Sequence, residues 1–158
     1  MVNRWKQFMF WFSASKYGSW FMKRFMEPID PLIYRLTGGR ATSAGPVVIP
    51  QLLLTTTGRK SGEPRTVQLA YTEISGKLHL VASNFGGPKH PGWSYNLAAN
   101  PSAEIQLGAR KFTVIAAQLN AEDKECAWPQ IVANIPNYDI YKTRTDRNIK
   151  VYRMDEAG

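Results

Sequence analysis

The spacing of hydrophobic positions changes near residue 46, from a helical period before it to β-type runs after it. Over residues 4–26, aromatic and apolar side chains recur three and four positions apart, beginning with Trp5, Phe8 and Met9. This spacing predicts one amphipathic helix or two in succession, with a break at Gly18-Ser19.

A second, shorter helical pattern follows. Pro28 precedes an apolar stretch that ends at Gly38-Gly39, which predicts a helix over residues 28–38. Residues 39–46 are rich in Gly, Ala, Ser and Thr and predict a loop.

Beyond residue 46, apolar and β-branched runs alternate with turn residues. The first predicted strand consists of the apolar runs 47–49 and 52–57. The others cover residues 66–74, 77–82, 103–107, 111–119 and 149–154. Turns at Ser75-Gly76 and Gly108 make hairpins of the middle strands. About six strands in hairpin order imply an antiparallel sheet, and with few helices they favour a small barrel.

Two helices interrupt this series. One is predicted over residues 93–99, ending before Pro101. The other begins after Asn120, which caps it, and is expected to be interrupted or restarted at Trp128-Pro129. The chain therefore divides into an N-terminal helical segment with its loop, residues 1–45, and a mainly β domain with flanking helices, residues 46–158.

The chain is strongly basic: Lys and Arg total 20 against 12 for Asp and Glu, a formal net charge of +8. Such a balance favours a polyanionic partner, either nucleic acid, anionic lipid or a ligand rich in phosphate or carboxylate. No nucleic-acid-binding motif is present, so we expect no nucleic-acid partner. Five basic residues and no acidic one precede Glu27. Interleaved with aromatics, they match a helix lying on a membrane surface, although a solvated basic face would give the same pattern.

Cysteine and histidine are scarce. The lone cysteine, Cys126, excludes an intrachain disulfide, and its helical surroundings predict that it is buried. With only two histidines and one cysteine, the chain has few ligands for a transition metal, so no metal is predicted.

Three segments could carry chemistry. The first, residues 58–65, reads Gly-Arg-Lys-Ser-Gly-Glu-Pro-Arg and combines two glycines with three cations. Backbone N–H groups in such turns and nearby cationic side chains bind anions, although a basic turn between strands would look the same.

The second segment, residues 83–93, is a glycine-rich loop that leads from a strand into a helix. Lys89 and the helix N-terminus suit an anion, while Asn84 and, further on, Asn96 could bond a polar ring edge. The third holds Tyr138 and Tyr141, which share a face if helical. Either phenol could donate a proton to a developing oxyanion, or both could be core tyrosines.

Together these segments resemble the deazaflavin-dependent nitroreductase family, the F420H2-dependent reductases of the A type. The resemblance covers roughly residues 45–153. It rests on residues 54–65, 82–93 and 96–101, and on Trp128-Pro129, Tyr138, Tyr141 and residues 145–147.

This resemblance implies a split β-barrel that binds coenzyme F420 with its phosphate against residues 58–65. The implied cofactor contacts are Arg59, Lys60, Arg65, Ser83, Asn84, Gly86, Lys89, Trp93 and Asn96. The implied catalytic residues are Tyr138, Tyr141 and Ser83, with Tyr138 the first candidate for the proton donor. The oligoglutamate tail of the coenzyme would give the basic surface a partner.

The implied reaction is hydride transfer from reduced coenzyme F420 to a hydrophobic, electron-poor acceptor: an enone, a quinone or a nitroaromatic. Tyr138 or solvent would supply the proton. Ile135 and Ala70 stand where some relatives have tyrosines, which makes the pocket more apolar and favours enones or quinones. The resemblance also implies an actinobacterial setting in the cytoplasm, with residues 4–26 able to reach the membrane, and leaves a homodimer open.

Two other readings keep the same barrel. A flavin mononucleotide enzyme would use the same phosphate-binding turn. A non-catalytic carrier of a lipophilic ligand, or a membrane-surface binding protein, would account for the N-terminal aromatics.

Overall fold

A computed structural model describes residues 2–47 and 49–158. Its helices are α1 (Val2–Ala14), α2 (Lys16–Phe21), α3 (Asp30–Thr37), α4 (Gly92–Ala99), α5 (Ala121–Asn134) and α6 (Asn137–Lys142). A π-helical turn, Met22–Met26, follows α2, and a 3₁₀ turn covers Asn84–Gly86. The strands are β1 (Ala41–Thr42), β2 (Gly45–Pro46), β3 (Gln51–Thr57), β4 (Pro64–Ala70), β5 (Thr72–Ile74), β6 (Lys77–Val81), β7 (Ser102–Leu107), β8 (Arg110–Gln118) and β9 (Val151–Glu156).

Seven of the strands form one antiparallel sheet in the order β4-β3-β7-β8-β9-β6-β5. The two edge strands, β4 and β5, are consecutive in the chain and are separated only by Tyr71. Because one residue joins the two edges, the sheet must curl until they meet, which produces a split barrel. The predicted fold class is confirmed. The seventh strand arises because residues 66–74 are interrupted at Tyr71, whose N–H bonds to Pro50 O (3.1 Å) instead.

The alternation of side chains across the sheet produces two cores. Inside the barrel, residues such as Leu52, Leu54 and Ile105 are fully buried together with Trp93 from α4. Outside it, α5 and α6 pack on the sheet through a second cluster that includes Ile131 and Ile135. The candidate site lies at this outer cluster.

The N-terminal helices differ in detail from the prediction. The break falls at Ser15, whose side chain caps α2 by accepting a hydrogen bond from Gly18 N (2.9 Å), and not at Gly18-Ser19. Gly18 lies within α2, and a larger residue would not fit there because its Cβ would stand 1.8 Å from Phe12 O. The glycine allows two helices to approach closely instead of separating them.

Other expectations also need correction. Helix α5 continues through Pro129. Proline has no N–H, so the carbonyl of Glu125 loses its helical hydrogen bond, but both residues are exposed and water can bond to that carbonyl. Cys126 is exposed on that helix, not buried. The loop over residues 39–46 contains the β1–β2 ribbon. In the first apolar run of the first predicted strand, Val47 and Ile49 lie outside any strand, and Val48 is outside the described residues.

Candidate active site

The turn between β3 and β4 closes on itself and projects its cations. Gly58 N donates to Glu63 O (2.8 Å), and Gly62 N donates to Gly58 O (2.7 Å). Gly62 has φ of +73°, a conformation that glycine adopts without strain. Arg59, Lys60 and Arg65 are all exposed. The turn is thus a compact loop with three cationic side chains accessible to an anion.

Helix α4 holds this turn from behind. The Asn96 side chain accepts from Arg59 N (3.0 Å) and donates to Thr56 Oγ1 (3.0 Å). The Arg59 guanidinium lies 4.8 Å from the centre of the Tyr95 ring. Asn96 is buried and its amide is occupied at both ends, so it connects α4 to the turn.

The loop after β6 has a strained backbone. Asn84, Phe85 and Gly86 have φ of +47°, +54° and +74°, and the first two are not glycine. A Cβ at Gly86 would lie 2.7 Å from Tyr141 O, so the loop presses against the end of α6. Consecutive left-handed residues are costly and persist at sites that the surroundings over-determine, typically ligand-binding ones.

The other predicted site residues of this loop differ in how far they are buried. The Asn84 side chain donates to Lys89 O (2.8 Å), and Lys89 itself is exposed. Ser83 is buried where β6 ends. Trp93 packs edge-on against Tyr152 in the barrel core, so it supports the loop from inside.

Lys23, which the sequence did not single out, also reaches this loop. Its Nζ donates to Asn84 O (3.5 Å) and lies 5.6 Å from the Phe85 ring centre. Burial lowers the pKa of Lys23, and nearby Arg147 adds to that, while Glu27 opposes it. Lys23 and Asn84 are 61 residues apart in the chain, so no local sequence pattern could predict this contact.

Tyr138 and Tyr141 lie together on α6, as predicted from their spacing, with ring centres 6.3 Å apart. Trp128 Nε1 donates to Asp139 Oδ1 (2.7 Å) and ties α6 to α5. Both phenols are buried, and burial raises the pKa of each. The two hydroxyls would therefore stay protonated at neutral pH.

The two hydroxyls differ in their partners. The Tyr141 hydroxyl donates to Ser13 O (3.1 Å) of α1. Asn137 Nδ2 donates to Phe10 O and to Ser13 Oγ (both 2.7 Å), so α1 is seated on α6 by polar contacts. Among the residues that the structure describes, the Tyr138 hydroxyl has no hydrogen-bond partner. Tyr138 is the phenol that remains available to a ligand.

The cations of the site lack acidic partners. Within residues 2–47 and 49–158 the ion pairs are Lys77–Asp155, Arg153–Asp155 and Arg110–Glu156, on β6, β8 and β9, and Lys111–Glu104, between β8 and β7. None includes Lys60, Arg65 or Lys89. Such a group of cations fits a ligand that carries phosphate and carboxylates.

A buried polar atom without a partner lies on β4, the strand that follows the turn. The side-chain carbonyl of Gln68 on β4 has no partner among the described residues. Gln68 shares a strand face with Ala70, which packs against the cluster that contains Tyr138. An unpaired buried acceptor is costly unless a ligand satisfies it, so this position also fits a polar ring.

Comparison with known proteins identifies the family of this chain. The family model described as F420H(2)-dependent quinone reductase matches residues 29–156. The chain belongs to this family. An F420H(2)-dependent quinone reductase of Mycobacterium tuberculosis is 42% identical over 122 residues, covering 75% of this chain and 82% of the relative.

Solved structures agree. One described as an F420-H2 dependent reductase is 42% identical, with a TM-score of 0.62 over 67% of this chain and 94% of its own. Another, described as a domain-swapped dimer, is 37% identical, with a TM-score of 0.63 over 80% of this chain and 96% of its own.

Membership of the F420H(2)-dependent quinone reductases confirms the resemblance found in the sequence. The chain is an F420-dependent reductase, an oxidoreductase whose cofactor is reduced coenzyme F420. The flavin mononucleotide and non-catalytic alternatives are set aside. The unpaired cations and the strained loop described above fit this cofactor.

Proposed function

We propose that this reductase transfers a hydride from reduced coenzyme F420 to a quinone-type acceptor, and that Tyr138 supplies the proton. The observation that carries the proposal is the pairing of two features. Unpaired cations lie on the β3–β4 turn and the neighbouring loop, and a buried phenol with a free hydroxyl lies on the adjoining helix.

The cationic end would hold the negative part of the cofactor. Lys60 and Arg65 are exposed on the turn and would bind the phosphate and the first carboxylates of the tail. Lys89 would add a positive charge from the loop. Arg59, beside Tyr95, would add another from the turn.

The loop after β6 would hold the ring and ribityl portion. Ser83 and Asn84 offer polar groups there, and Gly86, which has no side chain, lets the loop pack closely against Tyr141 O. Asn96 would act by holding the turn in place, and Trp93 would act from the barrel core.

When bound, the reduced deazaflavin supplies a hydride from its C5 position. A quinone that receives this hydride needs one proton to become the hydroquinone. Tyr138 would donate it, because a phenol is protonated at neutral pH and this hydroxyl forms no hydrogen bond among the described residues. Tyr141 would stay beside it and anchor α1, and Ser83 would offer a second hydroxyl at the ring.

The side chains packed in the cluster around Tyr138 are apolar, which favours a hydrophobic acceptor. Ile135 is 5% exposed, and Ala70, Phe10 and Ile49 pack around the same cluster. An apolar pocket with a few polar groups suits a quinone or an enone better than a polar nitro compound.

The test is oxidation of reduced coenzyme F420 by the purified protein with menadione, cyclohexenone or a nitroimidazole as acceptor. We expect the highest kcat/KM with menadione. Cofactor binding with preferential reduction of the nitroimidazole would contradict the acceptor class and leave the cofactor unaffected.

We also propose that the N-terminal segment contacts an anionic membrane surface. The outer side of α1 and α2 exposes large aromatics, including Trp11 (69%) and Trp20 (61%). Basic residues accompany them, with no acidic residue before Glu27. No helix among the described residues is long and apolar enough to cross a bilayer.

Vesicle sedimentation tests this contact. We expect the protein to pellet with phosphatidylglycerol vesicles and not with phosphatidylcholine vesicles, and the double variant Trp11→Ser/Trp20→Ser to lose that binding. Binding that is equal for both lipids, or unaffected by the variant, would contradict the proposal.

We further propose a homodimer, since a solved relative is described as a domain-swapped dimer. Light scattering after size-exclusion chromatography would give twice the chain mass if this holds, and the monomer mass of 17.8 kDa if it does not.

A further inference from the structure

One arginine holds the whole loop that follows β6. Arg147 lies between α6 and β9, and its Nε donates to Gly87 O (2.9 Å). Its Nη1 donates to Ala82 O (3.0 Å), and its Nη2 donates to Ser83 O (2.5 Å). A single guanidinium therefore serves three backbone carbonyls spread over six residues of this loop.

The fourth contact of Arg147 is a histidine ring. Nη1 lies 3.1 Å from His90 Nδ1, and because arginine can only donate, the imidazole nitrogen must be the acceptor. Burial lowers the pKa of His90, and Arg147 and Lys150 lower it further, which keeps the ring neutral and able to accept.

These contacts extend to the anion-binding turn. The His90 ring meets the Tyr95 ring edge-on, with centres 5.8 Å apart, and Tyr95 lies under the Arg59 guanidinium at 4.8 Å. Arg147, His90, Tyr95 and Arg59 thus form a continuous series of contacts. It runs from the loop after β6 to the β3–β4 turn.

The loop needs such support. Its backbone is left-handed at three consecutive residues. Among the described residues its internal bonds are Gly86 N to Ser83 O and Gly87 N to Asn84 O (both 2.9 Å), and Asn84 Nδ2 to Lys89 O (2.8 Å). Strained backbone persists only where the surroundings hold it. The planar fork of arginine can hold several carbonyls in one geometry, which a lysine ammonium cannot.

We propose that Arg147 is a positioning residue that fixes the loop of residues 82–90 relative to the β3–β4 turn. It acts through the loop carbonyls and His90 and does not itself contact the cofactor. This inference rests on the proposed function, because the two segments that Arg147 relates are those that would hold the two ends of coenzyme F420.

The experiment compares Arg147→Met and Arg147→Lys with the wild type, using Arg153→Met as the control. Arg153 is an arginine on β9 whose partner is Asp155. Amide hydrogen exchange at Gly86 and Gly87 is measured without cofactor, well below the melting temperature. The Kd of reduced coenzyme F420 is measured by its fluorescence, and kcat and the KM for menadione are measured at saturating cofactor.

In Arg147→Met we expect exchange at Gly86 and Gly87 to rise at least tenfold, with little change in the barrel strands, and the Kd of the cofactor to rise at least tenfold. The KM for menadione should change by less than threefold. Arg147→Lys should recover only part of both losses, and Arg153→Met should resemble the wild type.

Two results would overturn the inference. One is wild-type exchange and affinity in Arg147→Met. The other is faster exchange throughout the chain with unchanged cofactor affinity, which is the result of a merely structural role. If the wild type does not bind coenzyme F420, the proposed function fails separately, and loop-specific exchange in Arg147→Met still decides whether this residue orders the loop.

Discussion

Two basic regions of this molecule differ in what their cations contact. On the β6, β8 and β9 side, Lys77, Arg110 and Arg153 each lie within 3.4 Å of a carboxylate oxygen of Asp155 or Glu156. On the β3–β4 turn and the loop after β6, Lys60, Arg65 and Lys89 have no such neighbour among the described residues.

The difference shows that the net charge of the chain is less informative than its distribution. Exposed ion pairs contribute little to stability and leave no net field. Cations that form no ion pair repel one another, which a fold tolerates where a ligand supplies the missing negative charge. We therefore propose the turn and the loop after β6, and not the basic composition as a whole, as the cofactor end of the site.

The largest effect should come from removing charge in the unpaired region. We expect Lys60→Ala/Arg65→Ala to weaken binding of reduced coenzyme F420 by about 100-fold or more, since each charge-assisted hydrogen bond contributes roughly 1.5–3 kcal/mol. Titration followed by deazaflavin fluorescence measures this.

The matched control is Lys77→Ala/Arg110→Ala, which removes the same formal charge from the paired region. Its cofactor affinity should stay within about threefold of the wild type, because these cations are already paired. Equal losses in the two double variants would mean that only the overall charge matters.

The second largest effect should follow from Tyr138→Phe. We expect kcat with menadione to fall about 100-fold, the lower end for loss of a general acid, because solvent can replace part of it. The Kd of the cofactor should hardly change. Because burial raises the pKa of Tyr138, the phenol stays protonated above pH of about 10, and the wild type should show no alkaline loss from this group below that pH.

Tyr141→Phe provides the comparison on the same helix. It removes the hydrogen bond to Ser13 O, so we expect a lower Tm and a loss in kcat of less than about fivefold. A larger loss in kcat for Tyr141→Phe than for Tyr138→Phe would reverse the roles that we propose for the two phenols.

A third effect separates the strained loop from an ordinary turn. Gly86 and Gly76 both have φ of +74°, but a Cβ at Gly86 would meet Tyr141 O at 2.7 Å, and one at Gly76 would meet nothing within 4 Å. Both alanine variants bear the left-handed cost of about 1 kcal/mol. Gly86→Ala should lose roughly 1–3 kcal/mol more in unfolding free energy, because backbone strain and overpacking add to it. Denaturant unfolding measures the stability of both variants. Equal losses would contradict a stabilising close contact between Gly86 and Tyr141 O.

The smallest effect is that of salt. Raising ionic strength from about 0.05 to 0.5 M should weaken cofactor binding by roughly three- to tenfold, since exposed charges are screened beyond a Debye length of a few ångströms. The Tm should change little over the same range. A cofactor affinity that is independent of salt would contradict binding through exposed cations.

The local features of the fold could be predicted because their signals are local. Gly-containing turns such as Ser75-Gly76 and Gly108, and the cap at Asn120, stand next to the elements that they delimit. The β3–β4 turn and the loop after β6 could be found in the same way, from runs of glycine and cations.

The long-range features could not. Nothing local indicates that Arg147 bonds to carbonyls 60 to 65 positions earlier, or that Ser13 meets Tyr141 across 128 positions. Two local signals were also misleading. Pro129, which the sequence predicts to interrupt α5, is tolerated because the helix is exposed to solvent there, and Gly18, which it predicts to separate two helices, lies within α2.

The most direct test of the central claim compares two ligands on the wild-type protein. One is reduced coenzyme F420, and the other is the same reduced deazaflavin without its phosphate and glutamate tail. If the unpaired cations of the turn and loop bind the negative end, the intact coenzyme should bind at least about 100-fold more tightly at low salt. Equal affinities would show that the unpaired cations do not form the cofactor site.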